Sequence, residues 1–146
     1  MPTQVDYKQT LGASVDKAWL VLGDFGSLLG WVKGGDVGTL SLSGDGIGMV
    51  RDFTLPSVGT VQHRLDALDQ DRHLLTYSLT SGRPLGMATY AVTIQLAPLD
   101  EGRCSIIWTG HFDAEHGIPV EDMATNLQDA YRGMSERLDS FLNSNS

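Results

Sequence analysis

The chain has 146 residues, with 10 Lys and Arg against 18 Asp and Glu and a net charge of -8. That length fits one domain spanning 1–146, and a domain of this size buries roughly two-thirds of its unfolded surface, so no disulfide or metal is needed to hold it together. The acidic balance argues against nucleic acid and against anionic membrane surfaces, both of which need clustered Lys and Arg.

Cys104 is the lone cysteine, which rules out an internal disulfide and points to a reducing compartment. The N-terminal stretch lacks the basic start and apolar run of a signal peptide, and no segment reaches the ~18 apolar residues of a membrane span. The expected setting is the cytoplasm, as a monomer or homodimer without membrane insertion.

Residues 5–11 partly alternate apolar and polar side chains and predict a first strand. Ser14 is an N-cap candidate for Val15, Ala18, Trp19, Leu22 and Phe25 at helical spacing, with Asp16 placed to suit the helix dipole. Gly23, Gly26 and Gly30 interrupt this region, which predicts a helix, a second short helical turn and a loop around Trp31.

Six strands are expected next, over 37–42, 47–55, 61–68, 74–80, 87–96 and 104–112. Gly44-Asp45-Gly46 is a hairpin signal, and 81–84 and 98–102 read as loops. Short connections between successive strands imply an antiparallel meander. The period then changes: Met123, Leu127, Tyr131, Met134, Leu138 and Phe141 recur every three or four residues, widened by Ala130 and Leu142. Pro119, Glu121 and Asp122 suit the start of a helix of five or six turns lying across the sheet. The fold class is therefore α+β: a curved antiparallel seven-stranded sheet wrapped around a long C-terminal helix, with two short helices after the first strand.

Strand alternation sorts the side chains by face. Ala88, Tyr90, Val92, Ile94 and Leu96 share one face, as do Cys104, Ile106, Trp108, Gly110 and Phe112; these are the inner sets, with Gly110 facing the hollow. The same rule turns Arg51 inward with Phe53 and Leu55, His63 with Val61 and Leu65, and Tyr77 with Leu75 and Leu79. A buried guanidinium needs a partner, water or a ligand, because desolvation costs several kcal/mol. A mostly apolar hollow with a few convergent polar groups is the signature of a small-molecule site.

Several of these residues fall into a known order. Ala13-Ser14-Val15 before the Trp19 helix, Asp24-Phe25-Gly26 leading to Trp31, Gly46-x-Gly48-x-x-Arg51, Val61-x-His63-Arg64-Leu65, Tyr90-x-Val92-x-Ile94 and Trp108 together resemble the SRPBCC superfamily. That group includes START lipid-transfer domains, the birch-pollen allergens, bacterial polyketide cyclase/dehydrases and the plant abscisic acid receptors. The resemblance covers essentially the whole chain and implies the helix-grip fold, with an apolar ligand held between sheet and helix and no metal or organic cofactor. Thr54-Leu55-Pro56-Ser57 resembles the receptors' gate loop, and 81–85 falls where their latch lies; Lys33, His63 and Tyr90 match pocket positions. The 51–63 loop is shorter and the latch motif is not reproduced, so the bacterial polyketide cyclase/dehydrases are the closer likeness.

The candidate polar residues admit two readings each. Arg51 holds a ligand's anion or carbonyl, or a structural ion pair. His63 is a general base or donor, or a satisfied core histidine; Tyr77 and Tyr90 donate to a developing enolate, or pack. Lys33 binds a carboxylate, or is a solvated surface lysine. If chemistry occurs, Arg51 and Tyr90 polarise a carbonyl while His63 moves a proton in cyclisation or dehydration of a polyketide-like or aromatic substrate. Phe53, Leu55, Tyr77, Trp108, Phe112, Leu127, Tyr131 and Met134 are the expected walls. A carrier or sensor without chemistry, or an interaction module with a filled core, are the competing functions.

Three motifs carry nothing. Gly44-x-Gly46-x-Gly48 precedes a strand and is no phosphate loop. His111, Asp113, Glu115 and His116 lack a metal-ligand spacing. Cys104 has only Arg103 as a cationic neighbour in sequence and reads as a structural thiol.

Overall fold

A computed structural model of the chain describes residues 2–56 and 58–144, so Ser57 of the gate-like loop lies outside the described residues. The elements run β1 (Thr3–Leu11), α1 (Val15–Leu22), β2 (Thr39–Ser43), β3 (Val50–Leu55), β4 (Gly59–Asp69), β5 (Leu74–Ser81), β6 (Met87–Asp100), β7 (Arg103–Ala114) and α2 (Val120–Ser144). They form one antiparallel sheet in the order β1-β7-β6-β5-β4-β3-β2. This is the helix-grip arrangement, a seven-stranded sheet curled around a long C-terminal helix.

Local chemistry sets the boundaries. The hydroxyl oxygen of Ser14 accepts the Lys17 N–H at 3.2 Å and caps α1. Where a second short helix is expected, two 3₁₀ turns stand instead, Leu28–Gly30 and Gly35–Val37. The second, entered through Gly34 at φ 79°, absorbs Val37 and delays β2 to Thr39. The 44–46 hairpin turn widens into a loop over 44–49, because Gly44, Gly46 and Gly48 all take positive φ, and β3 begins only at Val50.

At the other end of the sheet, β6 runs past the expected stop. Pro98 sits beside a register shift between Pro98 and Asp100, the kind of irregularity in which a residue without an N–H is tolerated. A second irregularity between Met87 and Thr89 makes Ala88 the extra residue of a bulge. Met87 is thereby turned inward and buried, against the simple alternation that placed it outside.

α2 has 25 residues, about seven turns and ~37 Å long, which exceeds the five or six turns expected. It lies along β1 and β7. The side-chain amide of Gln128 donates to the Asp6 carbonyl at 3.1 Å, and Asp139 accepts the Gly12 N–H at 2.7 Å. Its buried stripe is Met123, Leu127, Tyr131, Ser135, Leu138 and Leu142, with Met134 and Phe141 partly buried beside it. Ser135 is the polar member, and it accepts the Trp108 indole N–H at 2.9 Å. Cys104 is buried at the far end of this core, and burial pushes its thiol up to about 11. Among the described residues, no helix is long and apolar enough to cross a membrane.

Leu138 is completely buried in the helix-sheet seam. Leu138→Asp places an unpaired carboxylate there and is expected to cost at least ~4 kcal/mol, enough to abolish cooperative melting in circular dichroism. An unchanged melting temperature contradicts this packing.

Candidate functional site: a cationic, mostly apolar cavity

A cavity of ≈ 370 Å³ opens between the inner faces of β3 to β6 and the middle of α2. Its walls include Phe53, Leu55, Val61, Tyr77, Tyr90, Leu127, Tyr131 and Met134. Arg51 and His63 enter from neighbouring strands, and the ladder sets them directly opposite each other. Both are almost wholly buried, at 5% and 7% exposure.

Their geometry is specific. Arg51 Nε–H and Nη2–H both donate to His63 Nδ1, at 3.2 and 3.1 Å, and Nη1–H donates to the Phe25 carbonyl at 3.2 Å. The guanidinium lies 4.1 Å over the Phe25 ring and 4.6 Å from the Tyr77 ring centre. Among the described residues no carboxylate pairs with it. Burial pulls its pKa down from the usual value, yet a guanidinium stays cationic at neutral pH.

Since an arginine only donates, His63 Nδ1 must be the bare nitrogen, and the neutral ring carries its proton on Nε2. Burial first, and the Arg51 charge second, hold His63 well below the ordinary imidazole range. The expected general base is therefore a poor one: its only lone pair is already taken. Tyr90 does not join the pair in the way expected either. Its hydroxyl is hydrogen-bonded to the Tyr131 hydroxyl at 2.5 Å, and burial raises both tyrosines far above their usual range. Tyr77 is also raised by burial, an effect that the Arg51 charge partly offsets.

Trp108 and Phe112, expected as walls, lie outside the cavity and are fully buried. α2 descends directly onto β7, so Trp108 is sealed beneath Tyr131, stacked at 4.5 Å between ring centres. Gly110 is also closed off rather than facing the hollow, because a Cβ there would lie 2.0 Å from the Tyr131 hydroxyl. Lys33 sits exposed at the cavity rim with Arg137 and Asp129, and Asp129 accepts from Arg132.

Sequence reasoning missed other parts of the site. Ala130 and Arg137 continue the Leu127–Met134 stripe at helical spacing, so that signal was present. Leu28, Val32, Val58 and Pro84 come from loops without periodicity, and Met87 enters only through its bulge. Leu85, also lining the cavity, holds a left-handed backbone at φ 57°, a strained state for a leucine. His111 instead bonds the Gln4 side chain, Asp113 bonds Thr89, and Glu115 pairs with Arg83. Among the described residues no group of His, Cys, Asp or Glu is placed to hold a metal.

Residues 2–141 match the family model described as polyketide cyclase/dehydrase and lipid transport. No curated protein matches the chain. Among solved structures, the protein XoxI from Bacillus cereus is similar at 21% identity and TM-score 0.84, covering 99% of both chains. An uncharacterised protein from Bacillus thuringiensis is similar at 22% identity and TM-score 0.81, covering 96% of this chain and 99% of that one. Norcoclaurine synthase from Thalictrum flavum, solved with dopamine and hydroxybenzaldehyde, is similar at 17% identity and TM-score 0.71, covering 100% of this chain and 89% of that one.

Two expectations follow from the geometry. Gly110→Ala should displace Tyr131, break its bond to Tyr90 and cost ~1–3 kcal/mol in chemical denaturation; a neutral substitution contradicts the close seat. For pH, the unfolded state takes up a proton on His63 near pH ~6.5, before the folded state does, so stability rests on the neutral ring and is lost as pH falls below that value. His63→Gln should therefore flatten the acid-side loss of melting temperature between pH 7.5 and 5, relative to wild type. Parallel profiles in the two proteins contradict the buried neutral imidazole.

Proposed function

The chain belongs to the polyketide cyclase/dehydrase and lipid transport family, and from that premise we propose that it binds a small hydrophobic or aromatic molecule in its internal cavity. The observation that carries this reading is the ≈ 370 Å³ hollow, apolar except for a few polar groups including the buried Arg51–His63 pair. That volume is in the range of small-molecule sites and large enough for a body of two fused rings or a medium acyl chain. A core built for stability alone fills such a space, since empty volume costs stability.

Holding is favoured over turnover. General acid-base chemistry needs a free lone pair near neutral pH, and His63 has neither the free Nδ1 nor the suitable pKa. Tyr90 is likewise committed to Tyr131. The catalytic reading retains one support: a buried cation suits a developing enolate oxygen and works through charge rather than proton transfer. In that case Arg51 polarises a carbonyl during cyclisation or dehydration of an aromatic or polyketide-like substrate, with no cofactor.

Nile red, a neutral apolar dye, tests the cavity. Wild-type protein should bind it at micromolar concentration with a blue-shifted emission. Ala130→Trp, which drops an indole into the space from α2, should abolish that signal while retaining a cooperative melt. Wild type that binds no dye, or an Ala130→Trp variant that binds it unchanged, overturns the reading.

A further inference from the structure

Hydrogen-bond accounting in the cavity leaves a surplus of donors. A guanidinium carries five N–H groups; the contacts to His63 and Phe25 take three and the Tyr77 hydroxyl takes a fourth, which leaves one on the terminal nitrogens of Arg51. His63 Nε2–H has no acceptor among the described residues. The Trp31 indole N–H is buried and unpaired as well. Trp31, Arg51 and Tyr77 line a small void of ≈ 10 Å³, about the room that one water or one ligand oxygen occupies. The nearby phenolic oxygens of Tyr90 and Tyr131 are spent on each other.

Charge tells the same story. Among the described residues the interior cation has only neutral partners, an imidazole, a peptide carbonyl and the Tyr77 hydroxyl. At the rim, Lys33 and Arg137 face the single acid Asp129, itself engaged by Arg132. Three cationic residues, Lys33, Arg51 and Arg137, and one acid, Asp129, line the hollow of a chain whose net charge is -8.

Donors without acceptors and a cation without an anion are both costly in a low-dielectric interior, and a single kind of occupant relieves both. On the reading that the cavity binds an apolar molecule, we propose that the occupant is an organic anion: an apolar or aromatic body ending in one carboxylate. The carboxylate oxygens accept the remaining Arg51 N–H and the His63 Nε2–H, while the body lies against Phe53, Leu55, Val61 and Met134. Such a contact is charge-assisted and geometrically selective, whereas a neutral amide or alcohol of the same shape can accept a hydrogen bond but leaves the cation without a counter-charge.

Matched displacement separates this inference from the binding reading it rests on. Full-length protein loaded with Nile red is titrated at pH 8 with 1-naphthaleneacetate against 1-naphthaleneacetamide, and with decanoate against decanol. Each carboxylate is expected to release the dye at a concentration about tenfold lower than its neutral partner. In Arg51→Met, which keeps the length and removes the charge, that preference should fall below about twofold. Wild type that releases dye no more readily to the carboxylates overturns the anion inference, whatever the variant does; a preference undiminished in folded Arg51→Met overturns the assignment to Arg51. Failure of wild type to take up Nile red at all overturns the cavity-binding reading instead.

Discussion

One α-helix is ~10–12 Å across, whereas seven strands at ~4.8 Å spacing span about 29 Å, so a single helix cannot cover this sheet. Most of what is particular about the protein follows from that mismatch. α2 settles on β1 and β7, held by Gln128 to Asp6, Asp139 to Gly12 and Ser135 to Trp108. There the packing is complete, with Trp108, Phe112, Ile106 and Leu138 wholly buried. The remaining inner face, β3 to β6, curls toward the helix, and the Tyr90–Tyr131 bond joins the two across the hollow's edge. Side chains on the near side have helix to pack against; those on the far side line a hollow.

The position of Arg51 makes sense only on the uncovered side. In the sealed half a guanidinium would need an ion-pair partner and full hydrogen bonding to offset its lost hydration. In the hollow half it rests instead on aromatic faces, Phe25 and Tyr77, and on the lone pair of a histidine. Each partner is neutral, and each contributes less than a carboxylate. The arrangement orients the cation firmly while leaving its charge available. His63 is accordingly a positioning partner for Arg51: the same lone pair that makes it useful there removes it from proton transfer.

How much of this was legible in the sequence depended on which interactions were local. Alternation in β3 and β4 placed Arg51, His63, Phe53 and Leu55 inward, and the ladder has Arg51 opposite His63. The same alternation failed at Met87, because one extra residue in a bulge inverts the faces and nothing in the composition of Met87-Ala88-Thr89 marks it. It also gave the right face but the wrong neighbour for Trp108, Phe112 and Gly110. Inner face is a property of one strand, whereas lining a cavity depends on where a helix from the other end of the chain comes to rest. The histidine's tautomer and the Tyr90–Tyr131 bond were out of reach for the same reason, since both require a contact across elements.

Tyr131 joins the two halves and sets where stiffness ends. Its ring stacks on Trp108 in the sealed core, its hydroxyl occupies the space that only a glycine at 110 leaves open, and that hydroxyl then bonds Tyr90 on the cavity wall. A helix pinned in this way cannot shift at its centre without breaking three contacts at once, so the cavity's back wall is rigid. The opposite side is built differently. Met134 is flexible at every side-chain bond, and Val58, Pro84 and Leu85 come from connections rather than from the ladder. On the proposed reading, differences in ligand shape are taken up by those residues, while Arg51, held on three sides, keeps its position and its charge.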